Sequence, residues 1–350
     1  MPIHPLLNNR IKYFLENNIQ KKIHFQNGNI HLYANENGLG SPSLKWYNRF
    51  TNSADLMEIK TSIAGIKKVS KQNIFISAGR FSIVDILLRS FCEREDNIIF
   101  CTPAPHEMIQ LAMVNEINFH LVSLNEHQQL DMIHLEKVVD EKSKIIWLSS
   151  PNHFTGNNML HDDIEMILNN FNGLVVVDEA YINFSKHKSF LSELNEYPNL
   201  IVCQDFNHAW GLAGLEIEMA FADPEIISVL YELPFGKMMQ KPSIDILQAA
   251  LLKVHDVNKN IKTIVAMRNA LARELQHFSF ILNIFSSDAN FLLVKFTDAQ
   301  HMKSFLHVNK IEVYDLSSEK FYENSLRISI GSEIELKKFM DVLEKYKENA

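Results

Sequence analysis

Short runs of β-branched and aromatic residues alternate, as far as about Pro234, with longer stretches whose apolar residues recur at helical spacing. That alternation predicts an α/β protein with a mostly parallel central sheet. The runs that predict strands are Ile74–Ser77, Asn97–Cys101, Phe119–Val122, Lys144–Ser149, Gly173–Asp178, Leu200–Gln204 and Glu218–Ala222. Helices fit between them, for example over Ser82–Arg94, His106–Asn115 and His161–Asn170. Several strands end in polar clusters. Ligands of open α/β sheets bind outside the carboxyl ends of the strands, so the loops Gly79–Ser82, Pro103–His106, Ser149–Thr155, Asp178–Tyr181 and Asp205–His208 are expected around one crevice.

After Pro234 the texture changes to one long helical stretch, Ser243–Phe278, followed by strands near Phe291–Phe296 and Arg327–Ile330 and helices over Asp298–Val308 and Glu333–Tyr346. This predicts a smaller C-terminal α+β domain over 236–350, a large α/β domain over 45–235, and an N-terminal arm over 1–44 that joins the small domain.

Composition narrows the function classes. With 350 residues, 46% hydrophobic and 22% charged, the chain has ample material for a core. A net charge of −8 without a long run of either sign removes the basic footprint of a nucleic-acid binder. No apolar run approaches a membrane span, and Met1–Gln20 has no continuous apolar core, so neither membrane nor export is expected. The three cysteines, Cys92, Cys101 and Cys203, form no disulfide framework and no metal pair, which fits a reducing, cytoplasmic setting. A small anionic or amino-acid-like ligand remains open. The 15 histidines stand out and matter through their positions.

The run Val175-Val176-Val177-Asp178-Glu179-Ala180-Tyr181 places a carboxylate at the end of an apolar strand with a tyrosine three residues on. Upstream lies Ser149-Ser150-Pro151-Asn152-His153-Phe154-Thr155-Gly156-Asn157; downstream lie Ala209-Trp210-Gly211-Leu212-Ala213-Gly214-Leu215 and Ser325-Leu326-Arg327-Ile328-Ser329-Ile330-Gly331. Together with Ala34-Asn35-Glu36-Asn37 and Lys45-Trp46-Tyr47-Asn48-Arg49, this order and spacing resembles the histidinol-phosphate aminotransferases, fold-type I enzymes dependent on pyridoxal 5'-phosphate, over nearly the whole chain. The resemblance implies a fold-type I large domain with a smaller C-terminal domain, a homodimer, and a lysine holding the cofactor as a Schiff base.

At the cofactor positions the chain departs from that pattern. The lysine of the family's Ser-Lys-Ala motif aligns with His208, and the next lysines downstream, Lys237 and Lys241, lie well beyond it. The arginine that the family places on the cofactor phosphate aligns with Glu216. The phosphate-cradling Gly-Ser-Asp-Glu reads Gly79-Arg80-Phe81-Ser82, the asparagine on the ring oxygen reads His153, the stacking aromatic falls in Pro103-Ala104-Pro105-His106, and the partner-lent tyrosine reads Phe50. Retained are Asp178, which in the family pairs the ring nitrogen, Tyr181, which meets the ring oxygen, and Arg327, which binds an anionic group of the substrate.

These departures lead to the expectation of a repurposed pocket that disfavours pyridoxal phosphate and is not that of a conventional transaminase. Catalytic candidates are His208, Asp178 and Tyr181; ligand-binding candidates are Arg327, Arg80, Asn152 and Glu216. His106, His153 and His208 with Asp178 form a candidate set of ligands for a divalent iron or zinc ion, since two or three imidazoles and a carboxylate leave positions open for substrate. The competing reading is that these histidines hydrogen-bond the pocket walls. Two other functions stay open: a non-catalytic paralogue that dimerises with and regulates an aminotransferase, and a residual pyridoxal-phosphate aminotransferase.

Overall fold

The computed structural model describes residues 4–17, 53–79, 81–233 and 239–349. Its first sheet contains β1 (Ile74–Ala78), β2 (Asn97–Thr102), β3 (Asn118–Ser123), β4 (Ser143–Ser149), β5 (Leu174–Asp178), β6 (Leu200–Asp205) and β7 (Ile217–Phe221) in the order β1-β7-β6-β5-β4-β2-β3. The pairs from β3 through β6 are parallel, whereas β7 runs antiparallel to both β6 and β1. All five residues of β5 and all six of β6 are buried, as expected where helices cover both faces.

The helices are α1 (Asn9–Asn17), α2 (Ser53–Lys67), α3 (Ser82–Phe91), α4 (His106–Val114), α5 (Met132–Val138), α6 (His161–Asn170), α7 (Pro224–Glu232), α8 (Lys241–Leu251), α9 (Val254–Leu275), α10 (Ala299–Val308) and α11 (Glu333–Asn349). The two-residue period of the strands divides the core. Val175, Val177, Ile146 and Val202 pack with Ile63 of α2, Ile164 of α6 and Leu247 of α8. Val176, Trp147, Phe100 and Ile201 pack on the other side with Leu87 of α3, Met108 of α4 and Leu230 of α7. Full burial of each such side chain contributes about 1.5–3 kcal/mol.

The second sheet is antiparallel, β8 (Ile281–Ile284), β9 (Phe291–Phe296), β10 (Tyr314–Asp315) and β11 (Ser325–Ser329) in the order β10-β11-β9-β8. Its core gathers Leu275, Val294, Leu306, Leu326 and Leu343 from α9, β9, α10, β11 and α11. Here the sequence pattern and the structure differ. The long helical stretch is broken into α8 and α9, where the Lys253 amide donates to the Ala250 carbonyl at 2.8 Å and interrupts the helical ladder. The helix expected to reach Arg94 stops at Phe91, because Cys92 turns to extended backbone. All three cysteines are buried thiols. Among the described residues no helix is long and apolar enough to cross a membrane. The segments carrying Asn35, Lys45–Arg49 and Phe50, together with Lys237, lie outside the described residues.

The loop after β4 ties the two sheets together. Gly156 adopts φ +78, its carbonyl accepts from the Asp288 amide at 2.6 Å, and a Cβ there would lie 2.5 Å from Ser287 Oγ and 3.0 Å from the Phe291 ring. Gly156→Ala is therefore expected to destabilise the protein by at least about 1 kcal/mol, read as a lower urea midpoint at unchanged slope.

Candidate active site

The carboxyl ends of the parallel strands open into a cavity of about 720 Å³. Each of the five polar loops contributes to its wall, through Phe81, Pro105 and His106, His153 and Phe154, Asp178 and Tyr181, and Asp205 and His208; Tyr314 and Arg327 reach it from the second sheet. The crevice expected from strand ends is thus where the topology places it.

Asp178 ends β5 and is buried. Its Oδ1 accepts the Ala180 amide at 3.2 Å, and its Oδ2 lies 2.8 Å from His153 Nε2. The His153 carbonyl accepts a 2.6 Å hydrogen bond from the Arg327 guanidinium, which also lies over the rings of Tyr314, Phe291 and Phe154 at 4.7, 5.1 and 5.3 Å. One chain of contacts therefore runs from the second sheet through His153 to Asp178 on the cavity floor, and its guanidinium is a planar donor fork suited to an anionic group. Tyr181 is buried, stacks on His208 at 4.5 Å between centroids and meets His153 edge-on at 5.4 Å. Beyond β6, the Asp205 carboxylate accepts the amides of Asn207 at 2.9 Å and His208 at 3.3 Å, which forms the turn that presents the His208 ring.

The other sequence candidates fare differently. Asn152 is completely buried; its amide donates to the Pro103 carbonyl at 3.1 Å, and its oxygen accepts the Phe154 and Thr155 amides. It pins two loops and offers nothing to a ligand. Glu216 is exposed at φ 49, and its carbonyl receives the Gly79 amide at 2.8 Å, so its main chain closes the turn while its side chain stands at the cavity rim. Arg80 lies outside the described residues. Lys241 pairs with Asp55 and Asp245 and does not line the cavity.

Three acidic residues were not singled out by sequence reasoning. Glu218, on β7, accepts the Phe81 amide at 2.7 Å, the Ile83 amide at 3.2 Å and the Ser82 hydroxyl at 3.0 Å. Those donors form the N-terminal end of α3, whose cap residue Phe81 supplies no side-chain bond of its own. Glu179 accepts the Phe190 amide at 2.7 Å, the Gln204 amide at 2.9 Å and the Ser189 hydroxyl. Burial pushes Glu179 and Glu218 up to about 7 and Asp205 up to about 6, against the hydrogen bonds that each accepts. The available signal was a charged residue inside or just beyond an apolar strand run.

These raised values have a consequence for stability. Between the ordinary carboxyl range and the raised values the folded state holds more protons than the unfolded state, so stability falls as pH rises through the window. Unfolding free energy, read from denaturation midpoints, is expected to drop between about pH 4 and pH 7 by about 1–3 kcal/mol for a group displaced this far.

The metal expectation is corrected by the geometry. His153 is committed to Asp178, His208 is stacked on Tyr181 with Nε2 3.6 Å from Asp205, and His106 stands exposed at the start of α4. Among the described residues, the histidine and carboxylate atoms that do converge belong to His161, Glu165 and Glu193, which do not line the cavity.

The donors at α3 bear on the pocket's natural occupant. Two backbone amides and a hydroxyl at a helix N-terminus converge on the Glu218 carboxylate, an arrangement chemically suited to a phosphate. With Asp178 on the floor and Arg327 at the second-sheet wall, the donor set fits a pyridine-ring cofactor carrying a phosphate arm and a partner molecule carrying a carboxylate. Among the described residues, no lysine lines the cavity.

Comparison with known proteins agrees. Residues 29–343 match the family model described as aminotransferase class I and II. The histidinol-phosphate aminotransferase of Bacteroides thetaiotaomicron is 38% identical over 323 residues, covering 91% of this chain and 90% of that protein. The enzyme of the same name from Cytophaga hutchinsonii is 35% identical over 322 residues, covering 91% of each. Among solved structures, the putative histidinol-phosphate aminotransferase of Erwinia carotovora superposes with a TM-score of 0.78 at 18% identity, covering 90% of this chain and 95% of that one. The Sinorhizobium meliloti enzyme, solved in complex with pyridoxal 5'-phosphate, superposes with a TM-score of 0.77 at 17% identity and covers 90% of each chain. These findings overturn the expectation that the pocket turns away from pyridoxal phosphate toward iron or zinc; they point to pyridoxal phosphate. With most of its length matched by the family model, and with aminotransferase relatives covering nine-tenths of it, the chain belongs to the class I and II aminotransferase family.

Proposed function

We propose that this protein is a divergent, pyridoxal-phosphate-binding member of the aminotransferase family that holds its cofactor without a covalent link and acts on a small amino-acid-like anion. The observation that carries the reading is the cavity wall at the end of β6, where the imidazole of His208 stacks on Tyr181 and no lysine is present among the described lining residues. Pyridoxal phosphate, when bound, supplies the electron sink for amino-group exchange.

The chain's own residues supply the rest. Asp178 would hold the proton of the ring nitrogen, with His153 fixing its second oxygen. Tyr181 would face the ring oxygen, and the amides at α3 would hold the phosphate. Arg327 would orient a carboxylate of the substrate, its guanidinium confined by three aromatic rings. His208 would carry the proton at the substrate carbon, and an imidazole suits that task near neutral pH. The resemblance to the aminotransferase family implies a homodimer, and sedimentation as a dimer is the result expected here.

The reading is tested by titrating the protein with pyridoxal 5'-phosphate and following visible absorbance, then adding an α-amino acid. A saturable band that responds to the amino acid and disappears on dialysis supports it. Absence of any saturable binding would sink it.

A further inference from the structure

We infer that Glu218 is an intramolecular occupant of the anion cradle at the N-terminus of α3, which a phosphate-bearing ligand enters by displacing this side chain. The inference rests on the proposed cofactor reading and adds a self-occupied, autoinhibited state to it. Its basis is the convergence of the Phe81 and Ile83 amides and the Ser82 hydroxyl on one carboxylate that comes from β7, 136 residues away at Ser82. The loop is shaped to aim those donors: Gly79 and Phe81 take φ values of 119 and 62. Glu218, Phe81 and Ile83 all line the 720 Å³ cavity, so the carboxylate is at the cavity wall and has open volume into which to swing.

The hold on Glu218 is also one that a phosphate can outcompete. Among the described residues Glu218 forms no ion pair, and the charge of Asp178 repels it. Burial opposes its ionised form as well. A phosphate brings more charge and more acceptor oxygens to the same amides than a carboxylate does, and the helix end favours the more strongly anionic guest. Empty, the cradle is closed by the protein's own anion; occupied, Glu218 must point elsewhere.

Calorimetric titrations of wild type and Glu218→Ala with inorganic phosphate, pyridoxal 5'-phosphate and pyridoxal test this directly. Displacement predicts that both phosphate-bearing probes bind the variant at least about tenfold more tightly than wild type, while pyridoxal is unaffected. Equal affinities of wild type and variant for inorganic phosphate would overturn the inference, as would failure of the variant to bind phosphate at all. If the variant gains phosphate but neither protein binds pyridoxal 5'-phosphate, the cradle assignment stands and the proposed function falls. If pyridoxal 5'-phosphate binds both proteins equally, the reverse holds. Should Glu218→Ala not fold, Glu218→Gln keeps the shape without the charge, and the same tightening, about threefold or more, is expected from it.

Discussion

Restoring an amine at the end of β6 while clearing the cradle, in the double variant His208→Lys with Glu218→Ala, is expected to raise amino-group exchange by at least about 100-fold over wild type. His208 sits where the Asp205 turn aims a side chain at Tyr181, so a lysine there would project into the same part of the cavity. A primary amine can bind the cofactor covalently and then serve as the positioned base, whereas an imidazole can only move the proton. Single-turnover conversion of an α-amino acid to its oxo acid measures the gain. A double variant no faster than wild type would mean that positions beyond these two limit the reaction.

Arg327→Ala is expected to weaken binding of an α-amino acid by about 2–3 kcal/mol, roughly 30- to 150-fold in Kd. The matching amine, which lacks the carboxylate, should bind both proteins alike. That contrast matters because Arg327 also donates to the His153 carbonyl, so a purely structural loss would weaken both ligands together. Arg327→Lys should recover little, since an ammonium cannot keep the planar packing among Tyr314, Phe291 and Phe154.

Much of the fold was legible because its central strands β5 and β6 are fully buried runs. Val175, Val176 and Val177 have no polar alternation to blur them, and the strand expected to end at Asp178 does so. The helix over His161–Asn170 and the strand over Phe291–Phe296 match the expected limits at both ends. The second sheet was harder. β8 exposes its two middle residues, Leu282 and Asn283, and directly follows the helical stretch, while β10 is only two residues long, so neither makes a run that a pattern can register.

At the site, position was legible and partnership was not. Asp178, Tyr181 and His208 line one cavity because strand ends in a parallel sheet must gather there, and Arg327 reaches the same cavity from β11 of the second sheet. Which of them touch was set by side-chain reach across loops far apart in sequence: His153 turns to Asp178 and not to the other histidines, and Asn152 turns into the loop that carries it. Glu218 escaped notice because its significance depends on β7 running antiparallel beside β1, which brings its carboxylate under the start of α3. The metal expectation failed for the same reason. The imidazoles of His153 and His208 at neighbouring strand ends are already engaged, one by a carboxylate and the other by a ring, which strand position alone does not reveal.

The most direct test of the central claim is intact-mass analysis of the wild-type protein saturated with pyridoxal 5'-phosphate, treated with borohydride and then desalted. A visible band is predicted before borohydride is added, and an unchanged polypeptide mass after reduction and desalting, because His208 offers no amine to fix the cofactor and its reduced alcohol washes away. A stoichiometric mass increase mapping to one lysine in the cavity would contradict it.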